Sequence, residues 1–115
     1  MAMKIQISAR DLELNPELHG HIERRIQFGL GRFAPRVRQV KVRLTDENGP
    51  KGGEDLSCRL ELVLTAGGSL IVSERDSQPR PAADRAVERM ARQLARHLER
   101  ERDTRKDLIE EGGAR

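Results

Sequence analysis

Apolar positions along the first third of the chain change spacing from two to four, and each spacing predicts an element. Lys4 to Arg10 alternates, with Ile5, Ile7 and Ala9 on one side and Lys4, Gln6, Ser8 and Arg10 on the other, the pattern of a half-buried strand. Asn15-Pro16 then supplies an N-cap residue and a proline suited to the first helical position, with Glu17 favourably placed in the first turn. A helix is predicted from there. Leu18, Ile22, Ile26, Leu30 and Phe33 give it an apolar stripe for a sheet to cover. Gly29 and Gly31 should weaken its last turns by up to about 1 kcal/mol each relative to alanine, and Pro35 closes it.

Val40, Val42 and Leu44 alternate with Lys41, Arg43 and Thr45 in a second strand, which runs into a polar stretch from Asp46 to Asp55. That stretch holds Asn48-Gly49-Pro50 and Gly52-Gly53 and reads as a flexible connection. Leu56, Cys58, Leu60, Leu62 and Leu64 form the inner row of a third strand, and Gly67-Gly68 signals a hairpin into a fourth, Ser69 to Glu74. Pro79 and Pro81 mark the exit from the sheet, after which a helix is predicted from about Ala82 to about Arg102. The expected fold is α+β, β-α-β-β-β-α, with three strands as an antiparallel meander and two helices packed on one face of a four-stranded sheet. Residues 1–102 form the expected domain and 103–115 a frayed tail.

The 115 residues suit one compact domain. No apolar run approaches the roughly 20 residues of a membrane span, and Met1 to Arg10 carries no signal-peptide apolar core, so a cytoplasmic protein is expected. Cys58 has no second cysteine to pair with, in keeping with a reducing compartment. The net charge of +3 is unevenly placed: residues 15–38 hold five basic against two acidic side chains, and residues 80–100 six against three. Both segments are predicted helices, so the excess should give one side of the fold a field that favours a polyanion. Eighteen of the 22 basic residues are arginine, whose planar fork grips phosphate through two hydrogen bonds. An arginine-biased genome would produce the same composition.

The last helix sharpens this. Arg85, Arg89, Arg92, Arg96 and Arg100 recur at spacings of four and three, a stripe roughly 80° wide opposite Val87, Met90, Leu94 and Leu98. Only Asp84, Glu88 and Glu99 lie near enough along the helix to relieve their repulsion. On the first helix His21, Arg24, Arg25, Phe28 and Arg32 occupy one arc beside the apolar stripe, and Arg10 could extend the basic surface. Phe28 is either an exposed platform or buried against the second helix, the commoner fate of such a ring. With no Trp or Tyr the chain lacks the aromatic platforms of single-strand readers, whereas duplex or shaped RNA is held mainly through phosphates and 2′-hydroxyls.

Catalytic and metal chemistry find little purchase. His19, His21 and His97 lack metal-ligand spacing, Cys58 falls in the apolar register of its strand, and the glycine pairs lack a phosphate-loop signature. The chain is therefore expected not to be an enzyme and to need no cofactor, metal or small-molecule substrate.

Several of these segments, in order and spacing, resemble the ribosome hibernation promoting factors, or ribosome-associated translation inhibitors, also described as sigma-54 modulation proteins. They are Ile7-Ser8-Ala9-Arg10, Leu14-Asn15-Pro16-Glu17-Leu18, Ile22-Glu23-Arg24-Arg25-Ile26 ending at Phe33, Gly67-Gly68, and the run from Asp84 to Leu94. The resemblance spans about Ile5 to Arg100. It implies a fold similar to double-stranded-RNA-binding domains, which occupies the mRNA and tRNA channel of the small ribosomal subunit and silences translation in stress or stationary phase. Basic helix positions of the family would fall on Arg24, Arg25, Arg89, Arg92 and Arg96. The chain looks like a short form, and differs from the usual pattern at Gln78-Pro79-Arg80-Pro81, His21 and Phe28.

The expected function is thus binding to small-subunit rRNA through Arg89, Arg92 and Arg96, then Arg24, Arg25, Arg85 and Arg32, with Arg100 and Arg10 at the margins. The free protein is expected to be a monomer without membrane contacts. A regulator binding an acidic protein on the same scaffold is the alternative.

Overall fold

A computed structural model describes residues 3–47 and 56–113, with side chains as far as Arg105. Strand β1 (Lys4–Arg10) leads to helix α1 (Pro16–Leu30), followed by a 3₁₀ segment, Gly31–Arg36, and strands β2 (Val37–Asp46), β3 (Leu56–Leu64) and β4 (Ser69–Asp76). Helix α2 (Pro79–Gly113) closes the chain. The sheet order is β1-β2-β3-β4, with β1 parallel to β2 and the remaining pairs antiparallel. This is the expected β-α-β-β-β-α arrangement. The parallel pair follows from α1, since two parallel neighbours need a crossover connection and a helix supplies it. Most of the polar stretch between Asp46 and Asp55, expected to be flexible, lies outside the described residues.

Local chemistry sets the joints. Asn15 is extended, and its Oδ1 accepts the Leu18 N–H at 2.8 Å, satisfying one of the helix's free amides. At the β3–β4 hairpin Gly67 and Gly68 both take positive φ, 104° and 83°, where a side chain would be strained. The 3₁₀ segment accommodates Pro35, so the first helix tightens before it stops.

Inside, the α1 stripe Leu18, Ile22, Ile26 and Leu30 is buried together with Val87, Met90 and Leu94 of α2 and the inward rows of β2 and β3. Burying each such side chain contributes about 1.5–3 kcal/mol. Small residues Ala82, Ala83 and Ala86 let the start of α2 lie close on the sheet, and all three are buried. Gly29 performs the same service between helices: a Cβ there would stand 2.8 Å from Val87 Cγ1.

Helix α2 departs from expectation at both ends. It begins at Pro79 because a proline in the first turn forfeits no intrahelical bond. Its backbone stays helical to Gly113, past the expected end near Arg102 and through most of the segment expected to fray. After Pro81 no glycine or proline interrupts it before Gly112, and Glu101 pairs with Arg105 at 3.3 Å along the helix. Glu101 also receives Arg36 of the 3₁₀ segment at 2.6 Å, which anchors the helix to the domain beyond the sheet.

Candidate nucleic-acid interface

Both helices lie on one sheet face, so their outward sides form one continuous surface on which the predicted arginines can be placed one by one. Arg92, Arg96 and Arg100 of α2 are exposed and have no ion-pair or hydrogen-bond partner among the described residues. Arg24 of α1 is exposed likewise, and its guanidinium lies back over Gly20, where an added Cβ would meet Nη1 at 3.1 Å. Arg32 stacks on its neighbour Phe33, 4.6 Å from the ring centroid, and keeps its charge exposed.

The other predicted residues serve different ends. Arg25 is drawn into the seam between the helices, in ionic contact with Asp84 at 3.2 Å through a buried Nε that lacks hydrogen-bond alignment, and with Glu88 at 3.5 Å. His21 Nε2 meets the same Asp84 carboxylate at 2.8 Å. Arg85 pairs with Asp76 at 2.9 Å, and Arg89 with Glu74 at 3.7 Å. Each also donates to a backbone carbonyl of β4, Arg85 to Arg75 O and Arg89 to Ser73 O. The arginine stripe is therefore divided. Its first two members lean over the edge of β4, and its last three stand free.

Asp76 explains part of this. Its carboxyl is held below its ordinary value by the Arg85 hydrogen bond first and by the Gln78 N–H second, while Arg85 is raised in turn. These acidic partners come from a strand, not from along the helix, and the signal for them lies in β4 itself. Continuing the inward alternation Leu70, Val72 puts Glu74 and Asp76 on the helix side, where arginines come to meet them.

Arg10 does not join the helix surface. In β1 the side chains packed on the core are Ile5, Ile7 and Ala9, so Arg10 projects from the opposite sheet face and contacts Asp11 at 4.0 Å. Phe28 corrects another expectation, since it is 86% exposed and not buried against α2. The turn of α1 that faces α2 there is Gly29, and its close packing on Val87 leaves the neighbouring ring outside.

Cys58 sits wholly within the core, where burial first and the Glu74 charge second push its thiol up to about 12. Such a thiol is not a nucleophile at neutral pH. Among the described residues no group of three or more His, Cys, Asp or Glu side chains could hold a metal ion, and no helix is long and apolar enough to cross a membrane.

The family model described as sigma 54 modulation protein / S30EA ribosomal protein matches residues 5–102. No curated protein matches the sequence. Among solved structures, the N-terminal domain of Protein Y from Thermus thermophilus is similar with a TM-score of 0.66 and 24% identity, covering 84% of this chain and 99% of that one. A ribosomal subunit interface protein from Coxiella burnetii gives a TM-score of 0.64 at 12% identity, covering 84% and 98%. At these identities the two likenesses are likenesses of fold.

Proposed function

We propose, because this chain belongs to the sigma-54 modulation protein / S30EA ribosomal protein family, that it is a ribosome-associated regulator of translation which binds small-subunit rRNA through its outward helix surface. Four exposed arginines without partners among the described residues, Arg24, Arg92, Arg96 and Arg100, carry this reading. A guanidinium that is solvated and unpaired has little to lose on meeting a phosphate, whereas Arg85, Arg89 and Arg25 would first have to leave carboxylates. The strongest contacts are therefore assigned to Arg92 and Arg96, with Arg24 across the helix pair and Arg32 and Arg100 beside them. Arg89 supports the surface from its edge.

Helical rods lined with unpaired guanidiniums suit a folded RNA whose phosphates follow its shape. Occupying the mRNA and tRNA channel of the small subunit would then block translation by exclusion, without any catalytic step. Such a protein acts by mass and position, as expected of a hibernation factor in stress or stationary phase. Titration of small subunits followed by pelleting through a sucrose cushion tests the reading. Wild type should co-sediment and be stripped by salt, and an Arg92→Ala, Arg96→Ala variant should remain in the supernatant. Wild type that stays soluble even at low salt would point instead to an acidic protein partner.

A further inference from the structure

The face of the sheet turned away from the helices is a second charged surface, and its charges follow a definite arrangement. It forms a shallow open trough of about 1090 Å³, floored by outward side chains of all four strands. Pairing across the sheet puts Arg43 of β2 directly opposite Arg59 of β3, the two central strands. Like charges on one rung are unfavourable, and a solvated sheet ordinarily sets opposite or neutral groups there. The neighbouring rungs follow that rule: Lys41 faces Glu61 and Thr45 faces Ser57.

The exception is also uncovered. Ser8 of β1 flanks Arg43, and Ser73 of β4 flanks Arg59, so the row reads Ser8, Arg43, Arg59, Ser73 across the whole sheet. Both arginines are exposed and lack partners among the described residues, while Arg75 at the margin is paired with Glu47 at 2.8 Å. Two guanidiniums about 5 Å apart at their Cα atoms, bracketed by hydroxyl donors, concentrate hydrogen-bond donors with no acceptor between them.

We infer that this sheet face is a second phosphate-binding surface, which takes the backbone of a folded RNA at the Arg43–Arg59 rung while the helix surface holds another segment. The domain then acts as a bridge between two RNA segments. Its chemistry favours RNA over an acidic protein, because protein interfaces depend on central aromatic or large apolar anchors. The trough lining holds no aromatic ring, and the one large apolar side chain exposed on that face among the described residues, Ile71, lies at the β4 margin outside the trough. The same lack of rings disfavours stacked single strands and leaves the backbone as the feature to be read. Only the occupant of the helix side rests on the function proposed above; the sheet site stands on its own residues.

An RNA duplex of about 16 base pairs, long enough for a small domain to grip, is the probe. One portion is biotinylated and immobilised, a second is fluorescent, and the protein must capture the second on the first; sedimentation equilibrium gives the stoichiometry. Wild type should bridge them and bind two duplexes. Arg43→Ser, Arg59→Ser should bind one duplex and lose bridging, and the second binding step of wild type should carry a salt exponent of about 1 per arginine. Arg43→Lys, Arg59→Lys should restore part of the capture, and thermal melts should show both variants folded, since the serine variant removes a repulsive exposed pair and the lysine variant keeps its charges. Wild type that saturates at one duplex which the serine variant still holds, or a serine variant that bridges as well as wild type, overturns the inference. So does a serine variant that loses binding only to a poly-glutamate peptide. Bridging lost in the serine variant but intact in Arg92→Ala, Arg96→Ala would instead remove the helix-side reading and leave the sheet site standing.

Discussion

Arg85 in the second turn of α2 lies 2.9 Å from the Asp76 carboxylate at the end of β4, across the corner where the chain leaves the sheet. The same carboxylate accepts the Gln78 N–H at 3.0 Å, so one acidic side chain fixes both the turn and the helix that follows it. An arginine that sequence spacing assigns to RNA is thereby committed to the fold.

Arg85→Ala should accordingly lower the melting temperature slightly and weaken ribosome binding less than Arg92→Ala does. Asp76 supplies the pH dependence. Its folded value is depressed, so its stabilising contribution is present above the ordinary carboxyl value of 3.8 and lost as pH falls through the lowered one. Carboxyl NMR titration should find its midpoint below 3.8 in wild type and return it towards that value in Arg85→Ala.

Removing Arg92 and Arg96 together should reduce affinity for small subunits and flatten its salt dependence by about 1 unit of slope per arginine. Binding isotherms at several salt concentrations measure both. An unchanged slope would show that these side chains meet no phosphates.

Gly29→Ala separates intrinsic helix preference from packing. Alanine is the better helix former by about 1 kcal/mol, yet its Cβ would press on Val87 at 2.8 Å. The substitution should therefore destabilise the protein, by about 1–3 kcal/mol of overpacking set against that gain. Adding Val87→Ala should recover part of the loss in urea melts, because it removes the opposing methyl group.

Cys58 should resist alkylation in the folded protein. At pH 8 the rise of its thiol from 9.0 to about 12 lowers the thiolate fraction on the order of a thousandfold, apart from any steric protection. Denaturant should abolish the difference. Folding favours the neutral thiol, so this group's contribution is present below 9.0 and fades as pH climbs towards 12.

Much of the fold could be read from local pattern. The alternation of Ile5, Ile7 and Ala9 and of Leu56 to Leu64 is short-range information, as are the Asn15-Pro16 start and the Gly67-Gly68 turn, and each appears where expected. What escaped depends on partners distant in sequence. Arg25 is claimed by Asp84, Arg85 by Asp76, and Phe28 is left outside because Gly29 packs so tightly. The helical periodicity correctly marked the arginine stripe, but it could not say which members would be neutralised by a neighbouring strand.

Arg85 and Arg89 have one more effect through the bonds they make to Arg75 O and Ser73 O. β4 borders the sheet, and the carbonyls along such a border are ordinarily an open template for a strand from another molecule. Here two guanidiniums occupy them in advance. A would-be partner must displace charged donors already matched to carboxylates, so this margin is guarded against the cross-chain zippering that leads to aggregates.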